Sequence, residues 1–322
     1  MQSNKRFYIG IDGGGTKTLG LLCNQNGVIL AKSTAGSTNL KSRAEQEVRS
    51  AIHHVIMELT LGLKGGKLTG IFVSTAGGDR EEDQKRWERW LREGLPSFEG
   101  ILKIKNDAYG ALASGTFSME GTVLIAGTGS IAYSIDANGS RRVGGWGYLF
   151  GDEGSGYDIG RKALRTVAMM HDGRMMLDEA FCSNILSFLQ VNGAPEMITA
   201  IYEDSYARMK ISSVAENVIE LAERQNQTAS KIVQGAFESL SELVHAIEMR
   251  GSQLVICGGL MQSFFFRNGF LEKLKTRGVS DVYYPNLSPA VGACICALLT
   301  CGIPIEDERK VNLMSSHHVM DG

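Results

Sequence analysis

Over the first hundred residues, apolar positions switch between a repeat of two and a repeat of 3.6, the mark of strands alternating with helices. "RFYIGID" predicts a buried strand, and "KTLGLLCNQNGVILAKSTAG" predicts two more. Asn26-Gly27 between those two is a hairpin turn signal. Val48, Ile52, Val55, Ile56 and Leu59 recur at helical spacing, so an amphipathic helix is expected over roughly 43–60. "LTGIFVSTAGG" and "GILKIKND" predict two further strands, with the charged helix "DREEDQKRWERWLREG" between them. Asp107 closes the second of these and is expected to cap the helix "AYGALASGT".

The pattern then begins again. "GTVLIAGTGSIAYSIDANGSRRVGGWG" repeats the order strand, glycine turn, strand, Asn-Gly turn, strand of "FYIGIDGGGTKTLGLLCNQNGVILAKS", with few identical residues, a faint internal duplication. A helical middle follows at about 155–247. "SQLVICGG" restores a strand, "SFFFRNGFLEKLKTRG" a helix, "VYYP" a short strand, and "PAVGACICALLTCG" a small-residue helix ended by Gly302. The tail "VNLMSSHHVMDG" has no periodicity and is expected to be poorly ordered. The restart and a dip in composition place a boundary near 113–121, and no low-complexity linker marks it.

Length supports the division, since one core rarely grows past about 250–300 residues and this chain has 322. A hydrophobic content of 43% is ample for sizeable cores, and a net charge of -2 gives no reason to expect nucleic acid or a membrane surface as partner. No apolar run reaches the roughly 18–20 residues of a membrane span, and no signal-peptide pattern follows the first strand. Cys23, Cys182, Cys257, Cys294, Cys296 and Cys301 lack metal-ligand spacing and read as reduced thiols of a cytoplasmic protein.

The candidate chemistry lies in two glycine turns. "DGGGTKT" and "AGTGS" can each turn backbone N–H groups toward an anion where no Cβ blocks the approach. Neither is a Walker A loop, because GxxxxGK[ST] is absent and a strand follows. Asp12 beside the first turn makes sense if Mg²⁺ neutralises a bound phosphate, and an unpaired carboxylate in an apolar strand otherwise carries a desolvation cost. A lone glycine turn is more often only a tight turn. Two in duplicated units point to a nucleotide clamped by two similar domains.

The motifs "DGGGTKT", "STAGGD", "NDAYGA", "GTGSIAYSIDANGS", "GGWGYLFGDEGSGYDIG" and "VICGGL" together resemble, in order and spacing, the N-acetylglucosamine kinase family, with the related BadF/BadG/BcrA/BcrD ATPases, in the actin–hexokinase superfamily. The resemblance runs to about residue 300, and "GGWG…GDEGS" is its most specific part. It implies an α/β fold of two ribonuclease-H-like domains with an ATP and sugar cleft between them: 1–115, joined by a C-terminal helix at about 290–305, and 116–289 with a helical insertion. It also implies ATP with Mg²⁺, a homodimer, and transfer of the γ-phosphoryl group to a sugar hydroxyl. Carried over by position, Gly13, Gly14, Gly15, Thr16 and Lys17 resemble the first phosphate loop and Gly127, Thr128 and Gly129 the second. Gly258 and Gly259 resemble a turn near adenosine, and Ser212 falls near a further nucleotide contact. Asp107 matches the general base. Asn39, Ser130, Gly145, Trp146, Gly147 and Asp152 match the sugar-contacting set, and Asp12 stands on the Mg²⁺ side.

Each residue also has a plainer reading. Asp107 could merely cap its helix, Asp152 and Glu153 could cap the helix from Ser155, and Trp146 could be a core aromatic. Lys17 could be a solvated lysine. Cys294 and Cys296 read as small core residues, and "AMMHDGRMM" as flexible core or lid packing. His317 and His318 lie in the tail and carry no expected role.

The resulting expectation is an ATP-dependent kinase that phosphorylates the 6-hydroxyl of N-acetylglucosamine, a small-molecule amino sugar. N-acetylmuramic acid and glucosamine are alternative acceptors. A different class, the ATPase activator of an acyl-CoA dehydratase or reductase, would carry a cluster-binding cysteine in the second glycine turn, and "IAGTGSIAY" has none. A sugar-sensing regulator would need a helix-turn-helix, for which the start at the first strand leaves no room.

Overall fold

The computed structural model describes residues 5–321, apart from Thr16, Asn39, Lys41, Ser42, Lys64, Arg250, Gly251 and Ser252. For 317–321 it describes the backbone alone. The candidate residues Thr16 and Asn39 and the side chains of His317 and His318 therefore lie outside the described residues. The chain divides into two compact units, one of Met1–Gly121 with Tyr284–Gly322 and one of Thr122–Tyr283.

The first unit opens with three strands, β1 (Arg6–Gly13), β2 (Lys17–Asn24) and β3 (Ile29–Gly36). They form an antiparallel meander whose second turn carries Gly27 at φ +81°, the left-handed conformation an Asn-Gly turn demands. Helix α1 (Glu45–Thr60) leads to β4 (Lys67–Thr75), which pairs parallel with β1. Helix α2 (Glu81–Gly94) then leads to β5 (Ile101–Asn106), parallel with β4, and to α3 (Asp107–Thr116). The sheet order is β3-β2-β1-β4-β5. Alternation along β1 loads both faces. Phe7, Ile9 and Ile11 pack with Val48, Ile52, Val55, Trp87 and Trp90 of α1 and α2, and Tyr8 packs on the opposite face.

The second unit restates this plan. Strands β6 (Gly121–Ala126), β7 (Ser130–Asp136) and β8 (Gly139–Gly144) come first. Five helices follow: α4 (Gly156–His171), α5 (Glu179–Phe188), α6 (Glu196–Tyr202), α7 (Ala207–Glu223) and α8 (Gln227–Ala246). Then come β9 (Leu254–Cys257), α9 (Phe264–Thr276) and the two-residue β10 (Val282–Tyr283). The order β10-β9-β6-β7-β8 is the first sheet's order with each strand replaced by its counterpart, and β6, β9 and β10 run parallel as β1, β4 and β5 do. The duplication faintly legible in the glycine turns is thus a duplication of whole sheets.

The chain returns to the first unit with α10 (Pro289–Thr300), whose small residues let it lie directly on β1. A Cβ on Gly10 would come within 2.2 Å of the Cys294 backbone nitrogen. Cys294 and Cys296 are both buried there, as small core residues.

Two expectations are corrected. The tail is not structureless: α11 (Asp307–Asp321) docks on the β2–β3 hairpin. Leu313 is buried, Asn312 donates to the Asn26 carbonyl at 2.8 Å, and Ser316 Oγ accepts from the Ile29 N–H at 3.0 Å. The pattern misses it because, among the described side chains, the helix buries Leu313 and is otherwise held by polar contacts. The second correction concerns α3. Its cap is Asn106, whose side chain accepts from the Ala108 N–H at 2.9 Å, and Asp107 is the first helical residue. No helix among the described residues is long and apolar enough to cross a membrane.

Candidate active site

In the first unit the C-terminal ends of the parallel strands lie side by side, Gly13 against Thr75 and Thr75 against Asn106. Loops and helix starts that follow parallel strands open at that edge, where open α/β sheets hold their ligands. The edge brings together the glycine turn after β1, the "STAGGD" loop after β4, and Asp107 after β5.

The first turn is tightly tied. Gly14 donates its N–H to the Lys17 carbonyl at 3.0 Å. Thr75 Oγ1 and the Ala76 N–H both donate to the Gly13 carbonyl, at 3.1 and 3.2 Å. Thr18 Oγ1 donates to the Gly36 carbonyl at 2.9 Å and lies 2.9 Å from Thr38 Oγ1. A Cβ on Gly13 would stand 2.6 Å from Thr75 Oγ1 and 2.8 Å from Thr38 Oγ1, so glycine is dictated there by close approach. The Gly14 N–H is spent inside the hairpin. Gly15 and Lys17 are exposed.

Ser74 anchors the start of α3. Its hydroxyl reaches the Asn106 and Asp107 carbonyls at 3.3 and 3.2 Å and accepts the Gly110 N–H at 2.9 Å. Burial raises Asp107 to a pKa of about 6, Asp79 pushes it the same way, and the N–H groups of Asp107 and Ala108 pull it back. Asp12 is pushed further, to about 7, by burial and then by the charge of Asp107, against Lys17. Two carboxylates at one strand edge, each raised and one raising the other, form a donor set that a cation would relieve. No group of three or more His, Cys, Asp or Glu side chains poised for a metal occurs among the described residues. One or two carboxylates completed by phosphate and water are the usual donors to Mg²⁺, so the residues present fit that ion.

In the second unit the corresponding edge holds the other turn. The Gly127 N–H donates to the Gly129 carbonyl at 2.9 Å. From the start of α4, Gly156 and Tyr157 donate to the Gly127 and Thr128 carbonyls at 2.7 and 3.3 Å. Gly258, at φ +106°, follows β9, and a Cβ there would lie 2.3 Å from the Ala126 carbonyl oxygen. Gly259 packs nearby, its nitrogen 3.5 Å from where a Gly127 Cβ would be. Ser212 also arrives here: its Oγ would be 2.7 Å from a Cβ on Gly156. Gly127, Thr128, Gly129, Ser212, Gly258 and Gly259, scattered between residues 127 and 259 of the sequence, thus form one cluster.

The "GGWGYLFGDEGS" loop folds over the same turn. Ser130 Oγ donates to the Glu153 carbonyl at 2.7 Å, and the Gly145 N–H donates to the Ser130 carbonyl at 3.0 Å. Asp152 is buried, with its backbone left-handed at φ +59°. Burial raises its pKa, while the Arg208 guanidinium and the N–H groups of Ser130 and Gly147 oppose the rise. Trp146 is 64% exposed and is no core aromatic. The Arg142 guanidinium lies 4.7 Å from its ring centroid. Ser155, not Asp152 or Glu153, caps α4, accepting from the Asp158 N–H. Sequence reasoning missed Arg208, which carries no turn or motif signature and meets Asp152 only through the tertiary fold.

Comparison with known proteins bears on these two strand edges. The family model of the BadF/BadG/BcrA/BcrD ATPase family matches residues 9–297. The chain belongs to this family. Among curated relatives, an N-acetylmuramic acid/N-acetylglucosamine kinase of Clostridium acetobutylicum is 33% identical over 310 residues, covering 92% of this chain and 99% of the relative. An N-acetyl-D-glucosamine kinase of Dictyostelium discoideum is 31% identical over 322 residues, covering 92% and 98%. A solved protein from Chromobacterium violaceum that carries a provisional N-acetylglucosamine kinase name shares the fold, with a TM-score of 0.70 at 23% identity over 91% of this chain and 99% of that one.

Proposed function

We propose that the protein is an ATP-dependent amino-sugar kinase that phosphorylates the 6-hydroxyl of N-acetylglucosamine. The observation that carries the reading is the placement of Asp107: a raised carboxylate at the end of β5, beside Asp12, in a chain that covers nearly all of two curated amino-sugar kinases. A sugar hydroxyl ionises far above pH 7, so its proton must pass to a base as phosphoryl transfer proceeds. Asp107 accepts that proton at its carboxylate. A pKa of about 6 leaves it mostly ionised at pH 7 and makes it a stronger base than an ordinary aspartate. Gly15, Thr16 and Lys17 of the first unit, and Thr128 and Gly129 of the second, are assigned to phosphate contact, with Gly13, Gly14 and Gly127 shaping their turns. Ser212, Gly258 and Gly259 line the nucleoside side. Asp12 would hold Mg²⁺, which when bound neutralises phosphate charge. Ser130, Gly145, Trp146, Gly147 and Asp152 of the second unit, and Asn39 of the first, are assigned to the acceptor sugar, for which the exposed Trp146 ring offers an apolar surface.

A second acceptor, N-acetylmuramic acid, is favoured by Arg142. Its guanidinium on the Trp146 ring sets a positive charge at the open face of the loop, where a carboxylate-bearing sugar would find a partner. A coupled ADP-release assay across N-acetylglucosamine, N-acetylmuramic acid, glucosamine, glucose and N-acetylmannosamine tests both. ADP release that depends on an N-acetylated amino sugar is expected. ATP binding with a flat response across the panel would count against the whole reading.

A further inference from the structure

The ion pair beneath the "GGWG…GDEGS" loop has a consequence beyond the roles above. Asp152 is 4% exposed and holds a left-handed backbone that a residue with a Cβ rarely adopts. Such strain persists only where surrounding contacts over-determine it. Its carboxylate takes the N–H groups of Ser130 and Gly147. It also takes Nη2 of Arg208 at 3.3 Å. It lies directly under the glycine turn, 2.9 Å from where a Gly129 Cβ would be. The charged groups acting on it are Arg208 from α7 and Glu153 from its own loop. Asp158, one turn along, is already engaged by Arg161, Lys162 and the Gly154 N–H.

Arg208 is itself braced. Its guanidinium stacks on Tyr148 of the same loop, 5.1 Å from the ring centroid. It stands near the start of α7, four residues before Ser212, so the two share one helical face. Ser212 presses on Gly156, and the Ile211 carbonyl oxygen would be 1.9 Å from a Cβ on Gly160, so α7 is seated directly on α4. Helix α4 in turn donates to the carbonyls of the second glycine turn. One helix face therefore fastens the acceptor loop at Arg208 and the phosphate turn at Ser212.

We propose that Arg208 is a positioning residue for phosphoryl transfer, acting through Asp152: it holds the acceptor loop in register with the Gly127–Gly129 turn. Removing the guanidinium leaves a buried carboxylate with two N–H partners and no cation, and such a site relaxes by turning the carboxylate out or by protonating it. Turning it out releases the Ser130 and Gly147 N–H groups, and protonation weakens their bonds to it. The loss falls on the amino-sugar side, while the nucleotide cluster keeps Ser212, Gly258 and Gly259.

The test uses full-length protein with Arg208→Met and Arg208→Lys. The inference rests on the amino-sugar kinase reading for its kinetic part, so a structural readout accompanies it. Hydrogen exchange of the Ser130 and Gly147 amides is expected to speed up by about tenfold or more in R208M, with the α8 amides unchanged. The KM for the sugar or its kcat/KM is expected to worsen by about tenfold or more, with ATP affinity within about twofold, and R208K is expected to recover most of it. Unchanged exchange at both amides overturns the inference whatever the activity. So does a sugar kcat/KM within about twofold of wild type, or equal loss of ATP and sugar affinity. Wild-type protein with no sugar-dependent ADP release overturns the kinase reading instead, and the exchange result still decides whether Arg208 holds the loop.

Discussion

At Asp107 and Asp12, stability and chemistry make opposing demands on a buried carboxylate. Burial and a neighbouring carboxylate raise both, so each favours its protonated form more strongly in the folded protein than in the unfolded chain. A carboxylate raised in this way supports folding below its unfolded pKa, and that support is lost as pH rises through its folded value. For Asp107 the window runs from the ordinary 3.8 up to about 6. Asp107→Asn is therefore expected to be more stable than wild type above pH 6, by on the order of 1–3 kcal/mol, in protein free of nucleotide and Mg²⁺. At pH 4 the two should differ little. Thermal unfolding at pH 5, 7 and 8 checks this, and a variant less stable than wild type at pH 8 would show that Asp107 is held by partners the present account omits. With Asp107 as the proposed base, an acid limb near pH 6 is expected in the pH profile of kcat/KM. Much of this site was legible residue by residue, because a glycine turn, an Asp at a strand end and "GDEGS" are local patterns. Arg208 was not, since its meaning comes entirely from Asp152, 56 residues earlier in the chain. The cap of α3 was misplaced by one residue because Asn106 and Asp107 are both good caps, and only geometry decides between them.

Close approach of neighbouring groups to the backbone fixes the first glycine turn. The end of β1 has no room for a side chain at Gly13, where Thr75 and Thr38 close in. Gly13→Ala is expected to cost about 1–3 kcal/mol through overpacking and to weaken ATP affinity, since Thr75 and Ala76 both bond its carbonyl. An unchanged melting temperature would mean that the turn yields more easily than its hydrogen bonds suggest. Strands and amphipathic helices declared themselves through their periods, as with α1, whose buried residues are Val48, Ile52, Val55, Ile56 and Leu59. Helix α11 did not. Its docking depends on Leu313 and on polar contacts from Asn312 and Ser316 to the Asn26–Ile29 segment, and hydrogen bonds leave no period in a sequence.

Across the whole molecule, two sheets of the same strand order each place a glycine turn after the first strand and a second glycine-bearing loop after the fourth. The sequence hinted at this only in the turns. Sheet residues need only be apolar on the right face, so they drift in identity while the strand order persists, and turn positions constrained by φ or by close approach keep their glycines. In the proposed reaction the protein passes the γ-phosphoryl group of ATP to an amino sugar with Asp107 as the base. Transfer of γ-labelled phosphate in a single turnover with N-acetylglucosamine tests it most directly, in wild-type protein and in Asp107→Asn. The account predicts label in the sugar 6-phosphate for wild type. In the variant it predicts transfer slowed by about 10²–10⁴-fold with ATP still bound. Label appearing as inorganic phosphate whether or not sugar is present, or a variant that transfers at a near-normal rate, would contradict it.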